Sequence, residues 1–256
     1  ATDVGDVVLQ PSGVVKGRVL GPGGEAIADA EVSMLLGTDA RAFTFTGSDG
    51  SFTLDTDLVN GTYKVLASAF SYRGISFETI NLGFFTFLVP KIDGGKAFTE
   101  GYTVGEVTGV SVVQGQETAG VEVRLGKSGI ISGRVREKAT GTPVPGLLVI
   151  AYSADYKYGF FGVTGSDGSY RIANNLAAGT YNATLLFPRG YAWNFMDAKV
   201  VEVKAGEETS NVDFDLDKSG VISGLVVYSD GTPVSNATVI ASSEARYFGF
   251  NTTQYD

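Results

Sequence analysis

The chain has 256 residues, enough for one large domain or two to three small ones, and its 35 glycines alongside many Val, Thr, Tyr and Phe favour strands joined by tight turns. A net charge of −9 argues against nucleic-acid backbones and anionic membrane surfaces as partners, because both would repel it. Cysteine is absent, which removes disulfides, thiolate nucleophiles and thiolate zinc sites, and no apolar run reaches the roughly 18–20 residues of a membrane-spanning helix.

Residues 1–11 read as an extended segment. Its opening, "ATDVGD", lacks the basic and apolar regions of a secretory signal, so such a signal is expected to have been removed or to lie outside these residues. The stretch "DVVLQ" at residues 6–10 is a candidate for pairing as an added strand, with Val7, Val8 and Leu9 as its contacts.

Internal similarity organises the rest. "SGVVKGRVL" from Ser12, "SGIISGRVR" from Ser128 and "SGVISGLVV" from Ser219 open three segments, and the longer first interval places an insertion near residues 74–108. Each opening leads to a glycine turn ("GPGGEAI", "GTPVPGL", "GTPVSNA") and then to a strand-like run ("AEVSMLL", "LLVIAYS", "ATVIASS"). "TGSDGS" follows at 46–51 and again at 164–169, then "NGTYKVLAS" or "AGTYNATLL". The first two copies close on "VVQGQETAGVEVRLGKSG" and "EVKAGEETSNVDFDLDKSG". The units are therefore 12–127, 128–218 and 219–256.

Each piece is a strand or a turn. In "SDGS" the pairs Asp49-Gly50 and Asp167-Gly168 define a tight turn, the glycine taking positive φ and the aspartate accepting nearby backbone N–H groups. "VDFDLD" alternates, so Val212, Phe214 and Leu216 share a packed face and Asp213, Asp215 and Asp217 a solvated one. About seven short strands per copy, with turn signals every 8 to 12 residues, predict an all-β chain of tandem antiparallel Greek-key β-sandwiches. Aligning "RYFGFNTTQYD" with "KYGFFGVTGSDG" sets Asp256 opposite Asp167, so the third sandwich is incomplete. Residues 219–256 cannot bury enough surface to stand alone, and either a continuing chain or another chain is expected to complete the sheet.

This order of motifs resembles the carboxypeptidase regulatory-like domain, a small prealbumin-like β-sandwich. The second copy matches best, at Gly133, residues 141–144, 164–170, 179–181 and 206–209. The resemblance implies a non-catalytic spacer or adhesive module of a secreted or cell-surface protein, with no catalytic residues to carry over.

Chemistry is scarce in the residues themselves. Histidine is absent, which removes the commonest general base, the triads built on it and the usual zinc ligands. Asp213, Asp215 and Asp217, or Asp55 and Asp57, offer carboxylates for calcium or acid–base work, but calcium needs about six oxygen ligands and no dense acidic loop supplies them. No P-loop lysine follows the glycines. No metal or other cofactor is expected. Four sequons, at Asn60, Asn182, Asn236 and Asn251, exceed the roughly one or two that chance gives and are candidates for glycosylation.

Aromatic residues supply the interface candidates. These are Phe84, Phe85 and Phe87 in the insertion, Tyr158 and Phe160 in the second copy, and Tyr247, Phe248 and Phe250 in the third. The expected function is a structural module array of an S-layer, adhesin or filament subunit, self-associating or binding other surface proteins, with strand addition between chains. A carbohydrate-binding module, its aromatic rings stacking on glycans, and an accessory region of a larger secreted hydrolase are the alternatives.

Overall fold

A computed structural model describes residues 10–69, 75–81, 86–92, 100–155, 158–186, 188, 190–193, 197–242 and 248–252. Every regular element among them is a strand. The first unit contains β1 (Val14–Leu20), β2 (Glu31–Leu36), β3 (Asp39–Phe45), β4 (Ser51–Leu54), β5 (Gly61–Ser68), β6 (Ile75–Asn81), β7 (Thr86–Ile92), β8 (Gly105–Val112) and β9 (Glu117–Arg124). The second contains β10 (Ile130–Glu137), β11 (Leu148–Ser153), β12 (Gly159–Val163), β13 (Ser169–Ile172), β14 (Gly179–Leu186), β15 (Tyr191–Ala192), β16 (Lys199–Val203), β17 (Glu208–Thr209) and β18 (Phe214–Lys218). The third has β19 (Thr238–Ser242) and β20 (Phe248–Thr252).

Each of the first two units is a sandwich of two sheets. In the first, β4-β1-β9 faces β3-β2-β5-β8; in the second, β13-β10-β18-β15 faces β12-β11-β14-β16. The predicted insertion carries the β6–β7 hairpin. Most pairings are antiparallel, but the opening strand of each sandwich pairs in parallel with its closing strands, β1 with β9 and β10 with β17 and β18. That contact joins the two ends of each repeat, so local alternation does not encode it.

The period-2 pattern decides which side chains meet between the sheets. Val15, Val32, Tyr63, Val65 and Val123 are buried in the first core, and Ile131, Val149, Tyr181, Ala183 and Phe214 in the second. The Gly-Thr-Tyr motif has a specific reason to recur. Tyr63 Oη donates to Val59 O at 3.1 Å and Tyr181 Oη to Ala177 O at 3.0 Å, so each phenol fills the core while its hydroxyl reaches back four residues to fasten the preceding corner.

The repeated "TGSDGS" holds a second loop. Thr46 Oγ1 donates to Ile27 O at 2.6 Å and accepts from Ala30 N at 2.9 Å; Thr164 Oγ1 donates to Val144 O at 2.7 Å and accepts from Leu147 N at 2.8 Å. Both threonines are buried, so their hydroxyls satisfy backbone groups that water does not reach. Asp49 Oδ1 and Asp167 Oδ1 accept the N–H two residues on, at 3.0 and 3.1 Å. Hydrogen bonds from Ser51 and Ser169, side chain first and backbone second, hold these carboxyls below the usual range. Gly50 and Gly168 share a φ of 74°, and their carbonyls accept from Val19 N and Val135 N.

Burial raises the Tyr170 phenol and pushes the Tyr181 phenol up to about 12. An unfolded tyrosine ionises near pH ~10, so the unfolded chain releases protons that the folded second sandwich keeps. The resulting stability is fully present below that pH and is lost as pH rises through the folded value. We expect the melting temperature of the second sandwich to fall from about pH 10 upward, with phenolate absorbance from these two rings appearing only on unfolding. A flat melting temperature, with all phenolate absorbance developing near pH ~10 in the folded protein, would contradict this.

The opening stretch of the third unit departs from expectation. Residues 219–226 form no strand, and Val221 and Ile222 are 91% and 84% exposed, whereas Ile131, the counterpart of Ile222, is fully buried. Among the described residues no strand pairs with 219–226, whereas β10 is flanked by β13 and β18.

Candidate inter-repeat interface

The junction between the first two sandwiches is hydrogen-bonded throughout. Leu125 N donates to Leu20 O at 2.8 Å, Thr103 N to Gly126 O at 2.9 Å, and Ser128 N to Gly101 O at 2.8 Å. Ser128 is buried, and its Oγ accepts from Leu176 N at 3.0 Å. The connection is thus bonded to both sandwiches, unlike a flexible linker.

A turn at Gly101-Tyr102 projects from the first sandwich onto Ala173-Asn174-Asn175 of the second. Gly101 N donates to Ala173 O at 3.0 Å and to Asn174 Oδ1 at 3.1 Å, and Asn175 N donates to Tyr102 O at 2.9 Å. Val104 N donates to Asn175 Oδ1 at 3.3 Å, while Asn175 Nδ2 donates to Gly159 O at 3.2 Å within the second sandwich. Both asparagines are buried. Asn175 has φ 52°, a conformation that Asn tolerates better than most residues, and Gly101 has φ 98°.

Tyr102 anchors the projecting turn from behind, its Oη donating to Glu25 Oε1 at 3.0 Å. The backbone N–H of Glu25 and then the Tyr102 hydroxyl lower the Glu25 carboxyl, and burial raises the Tyr102 phenol. At the rim Glu100 pairs with Arg171. That exposed pair contributes at most about 1 kcal/mol, so buried amide hydrogen bonds dominate the joint.

Sequence reasoning did not single out this site. The signals were the repeated Gly-Tyr at 101–102 and 190–191 and the Asn-Asn pair at 174–175, which replaces Thr56-Asp57 of the first copy.

The carboxylates weighed for chemistry lie elsewhere. Asp213 Oδ1 accepts from Arg134 N at 2.8 Å, Asp215 Oδ1 from Arg136 Nε at 2.6 Å, and Asp217 Oδ2 from Lys138 Nζ at 3.1 Å. Asp213 and the acidic face of β18 are therefore matched to Arg136 and a backbone donor on β10 and to Lys138 just after it. Asp55 and Asp57 are exposed, and among the described residues no group of three or more His, Cys, Asp or Glu is placed to hold a metal.

Among the sequons, Asn60 is exposed and its Oδ1 accepts from Gln114 N at 2.7 Å. Asn182 is half-buried in β14 beside the fully packed Tyr181, Asn236 is exposed with φ 57°, and Asn251 lies in β20 opposite Val239. Tyr158 and Phe160 pack against the second core, and Phe160 stacks on Phe161 at 4.9 Å, so both rings contribute to the fold. Phe87 lies in β7, and Phe248 and Phe250 lie in β20. Phe84, Phe85, Tyr247, Val7, Val8 and Leu9 fall outside the described residues.

The family model described as the carboxypeptidase regulatory-like domain matches residues 14–126. The first sandwich is thus similar to that domain. The second sandwich carries the same motifs in the same order, so the interface joins two copies of one motif series.

No curated protein matches the chain. Among solved structures, the Bacillus anthracis TIE protein is 18% identical, with 95% of this chain and 42% of that one covered, at a TM-score of 0.32. A streptococcal ancillary pilin is 14% identical, with 81% and 62% covered, at 0.36. GBS52, the minor pilin of Streptococcus agalactiae, is 14% identical, with 84% and 100% covered, at 0.37. The chain thus spans 42% and 62% of the lengths of the first two.

Proposed function

We propose that this chain is a non-catalytic structural array of an extracellular surface protein, a subunit of a surface layer, adhesin or filament. The carrying observation is the hydrogen-bonded joint between the first two sandwiches, which holds them in series at one spacing. A spacer transmits position and load, and a joint without a free linker suits that task.

The third unit supplies the point of assembly. Val221, Ile222 and Leu225 are exposed where the equivalent stretch of β10 is inserted between neighbouring strands. Strand addition by residues 6–10 of a neighbouring chain, which lie almost wholly outside the described residues, would cover this stretch and lend it a ladder.

Electron microscopy and light scattering of the intact chain test the reading. We expect assemblies many chains long that shorten or vanish when residues 6–10 are deleted. A stable monomer at all accessible concentrations, or an unchanged assembly after the deletion, would rule out strand addition, while catalytic turnover or specific glycan binding would overturn the array reading itself.

A further inference from the structure

Each of the first two sandwiches is entered and left through neighbouring parallel strands. The chain enters the first at Val14 and leaves it after Arg124. β1 and β9 lie side by side through six paired residues, from Val14↔Glu117 to Leu20↔Arg124. Because the pair is parallel, the entry lies at one end of it and the exit at the other. Tension along the chain therefore draws β1 and β9 in opposite directions along their common axis. Their hydrogen bonds are loaded together in shear, whereas pulling both strands at one end would open the bonds one after another.

Both ends of the first pair are closed: Val14 N donates to Gln116 O at 2.9 Å and Leu125 N to Leu20 O at 2.8 Å. Lys16 Nζ meets Glu117 Oε2 across the pair at 2.7 Å. The second sandwich repeats the geometry, entered at Ile130 and left after Lys218, but its closing side is divided. β17 pairs with Ile130 and Ile131, and β18 with Val135, Arg136 and Glu137. Two bonds span the gap: Val212 N donates to Ser132 O at 3.0 Å, and Arg134 N to Asp213 Oδ1 at 2.8 Å. A side-chain carboxylate thus stands in for a ladder carbonyl. Further along, Arg136 Nε donates to Asp215 Oδ1 at 2.6 Å and Lys138 N to Leu216 O at 2.9 Å.

We propose that the parallel contacts of β1 with β9, and of β10 with β17 and β18, are mechanical clamps. They set the force that each sandwich withstands when the chain is stretched, and Asp213 keeps the second clamp continuous. Failure in shear needs the strands to slide by about one residue spacing, ~3.3 Å, so it comes before the core opens. Forced unfolding follows the unfolding rate rather than the stability. Packing still intact at the barrier leaves that rate unchanged. Resistance to force is thereby uncoupled from core packing and assigned to the opening and closing strands. This inference deepens the array reading and rests on it, since a clamp serves a spacer under tension.

Single-molecule force spectroscopy of the intact chain provides the test. Cysteine is absent, so Gln10→Cys with Gly220→Cys, both exposed positions, gives two unique handles that stretch the two sandwiches in shear. Unfolding should release roughly 360 Å from the first sandwich and roughly 290 Å from the second, so length identifies each step. Moving the second handle to the exposed Gln116, at the same end of the β1–β9 pair as Gln10, unzips that pair. The force of the first sandwich is then expected to fall at least about twofold. Val14→Pro removes one bond at the first residue of β1, where proline is tolerated, while Met34→Ala empties a fully buried site in the facing sheet. Met34→Ala should lose more stability in urea, and Val14→Pro more strength under force. Asp213→Ala is expected to lower the force of the second step by at least about a quarter, and Asp213→Asn, which keeps the acceptor oxygen, to restore it.

Equal forces in the two pulling directions, or a larger loss of force with Met34→Ala than with Val14→Pro, would overturn the clamp. An unmoved second step in Asp213→Ala would remove Asp213 from it. Failure of the array reading shows separately, as catalytic turnover or specific glycan binding, and leaves these forces as they are.

Discussion

Replacing Phe214 with alanine is expected to destabilise the second sandwich by about 3–5 kcal/mol. The ring is 1% exposed, on the strand beside β10 and opposite Val135. Its centroid lies 6.2 Å from the Tyr170 ring and 5.4 Å from Trp193, the latter edge-on at 83°, with Lys199 Nζ at 5.5 Å from the ring centroid. Truncation removes the transfer energy of a whole ring and leaves a cavity that sheets held by backbone ladders collapse into poorly. A domain of this size has roughly 5–15 kcal/mol in total, so the loss is a large share of it. In calorimetry of the intact chain we expect the transition of the second sandwich to move down by roughly 12 °C or more, at about 4–8 °C per kcal/mol. The first sandwich, whose counterpart residue is Val123, should shift far less. An unmoved second transition would mean that this cluster does not hold the core together.

Gly168→Val should approach the same size through the backbone. Gly168 has φ 74°, where a β-branched residue is strained, and an added Cβ would lie 2.5 Å from Val135 O and 3.0 Å from Pro143 Cβ. The turn cannot shift without breaking the bond from Val135 N to Gly168 O at 2.8 Å. Together these cost about 3 kcal/mol or more. Gly165→Ala, three residues earlier in the same phrase, is the control. The nearest atom to its added Cβ is Asp167 Oδ1 at 3.4 Å, so it should fall within about 0.5 kcal/mol of the parent. Urea titrations of both variants check the contrast, and equal midpoints would show that the phrase is repeated for some reason other than this turn. Gly50, with an added Cβ 2.7 Å from Val19 O, should repeat the result in the first sandwich.

The functional surface was less legible than the fold. The aspartates of "VDFDLD" were readable as a solvated face because alternation with Val212, Phe214 and Leu216 is a local property of one strand. Their pairing with Arg136 and Lys138 was not, since it depends on which strand lies alongside. Likewise Asn174 and Asn175 look like ordinary turn residues in sequence. Burial of both side chains follows only from the arrival of Gly101 and Tyr102, some seventy positions earlier in the chain.

The sequence by itself determined the strand faces, the turn glycines and the recurrence of the sandwich motifs. Each of these is carried by neighbours within a few residues, through side-chain alternation or the positive φ that only glycine accepts readily. Tertiary structure alone decided the parallel pairing of the opening and closing strands, the burial of Thr46 and Thr164 against loops more than a dozen residues away, and the closed joint between repeats. Backbone hydrogen bonds made across long sequence separations carry no residue-type signature, because every non-proline residue has the same N–H and C=O to offer.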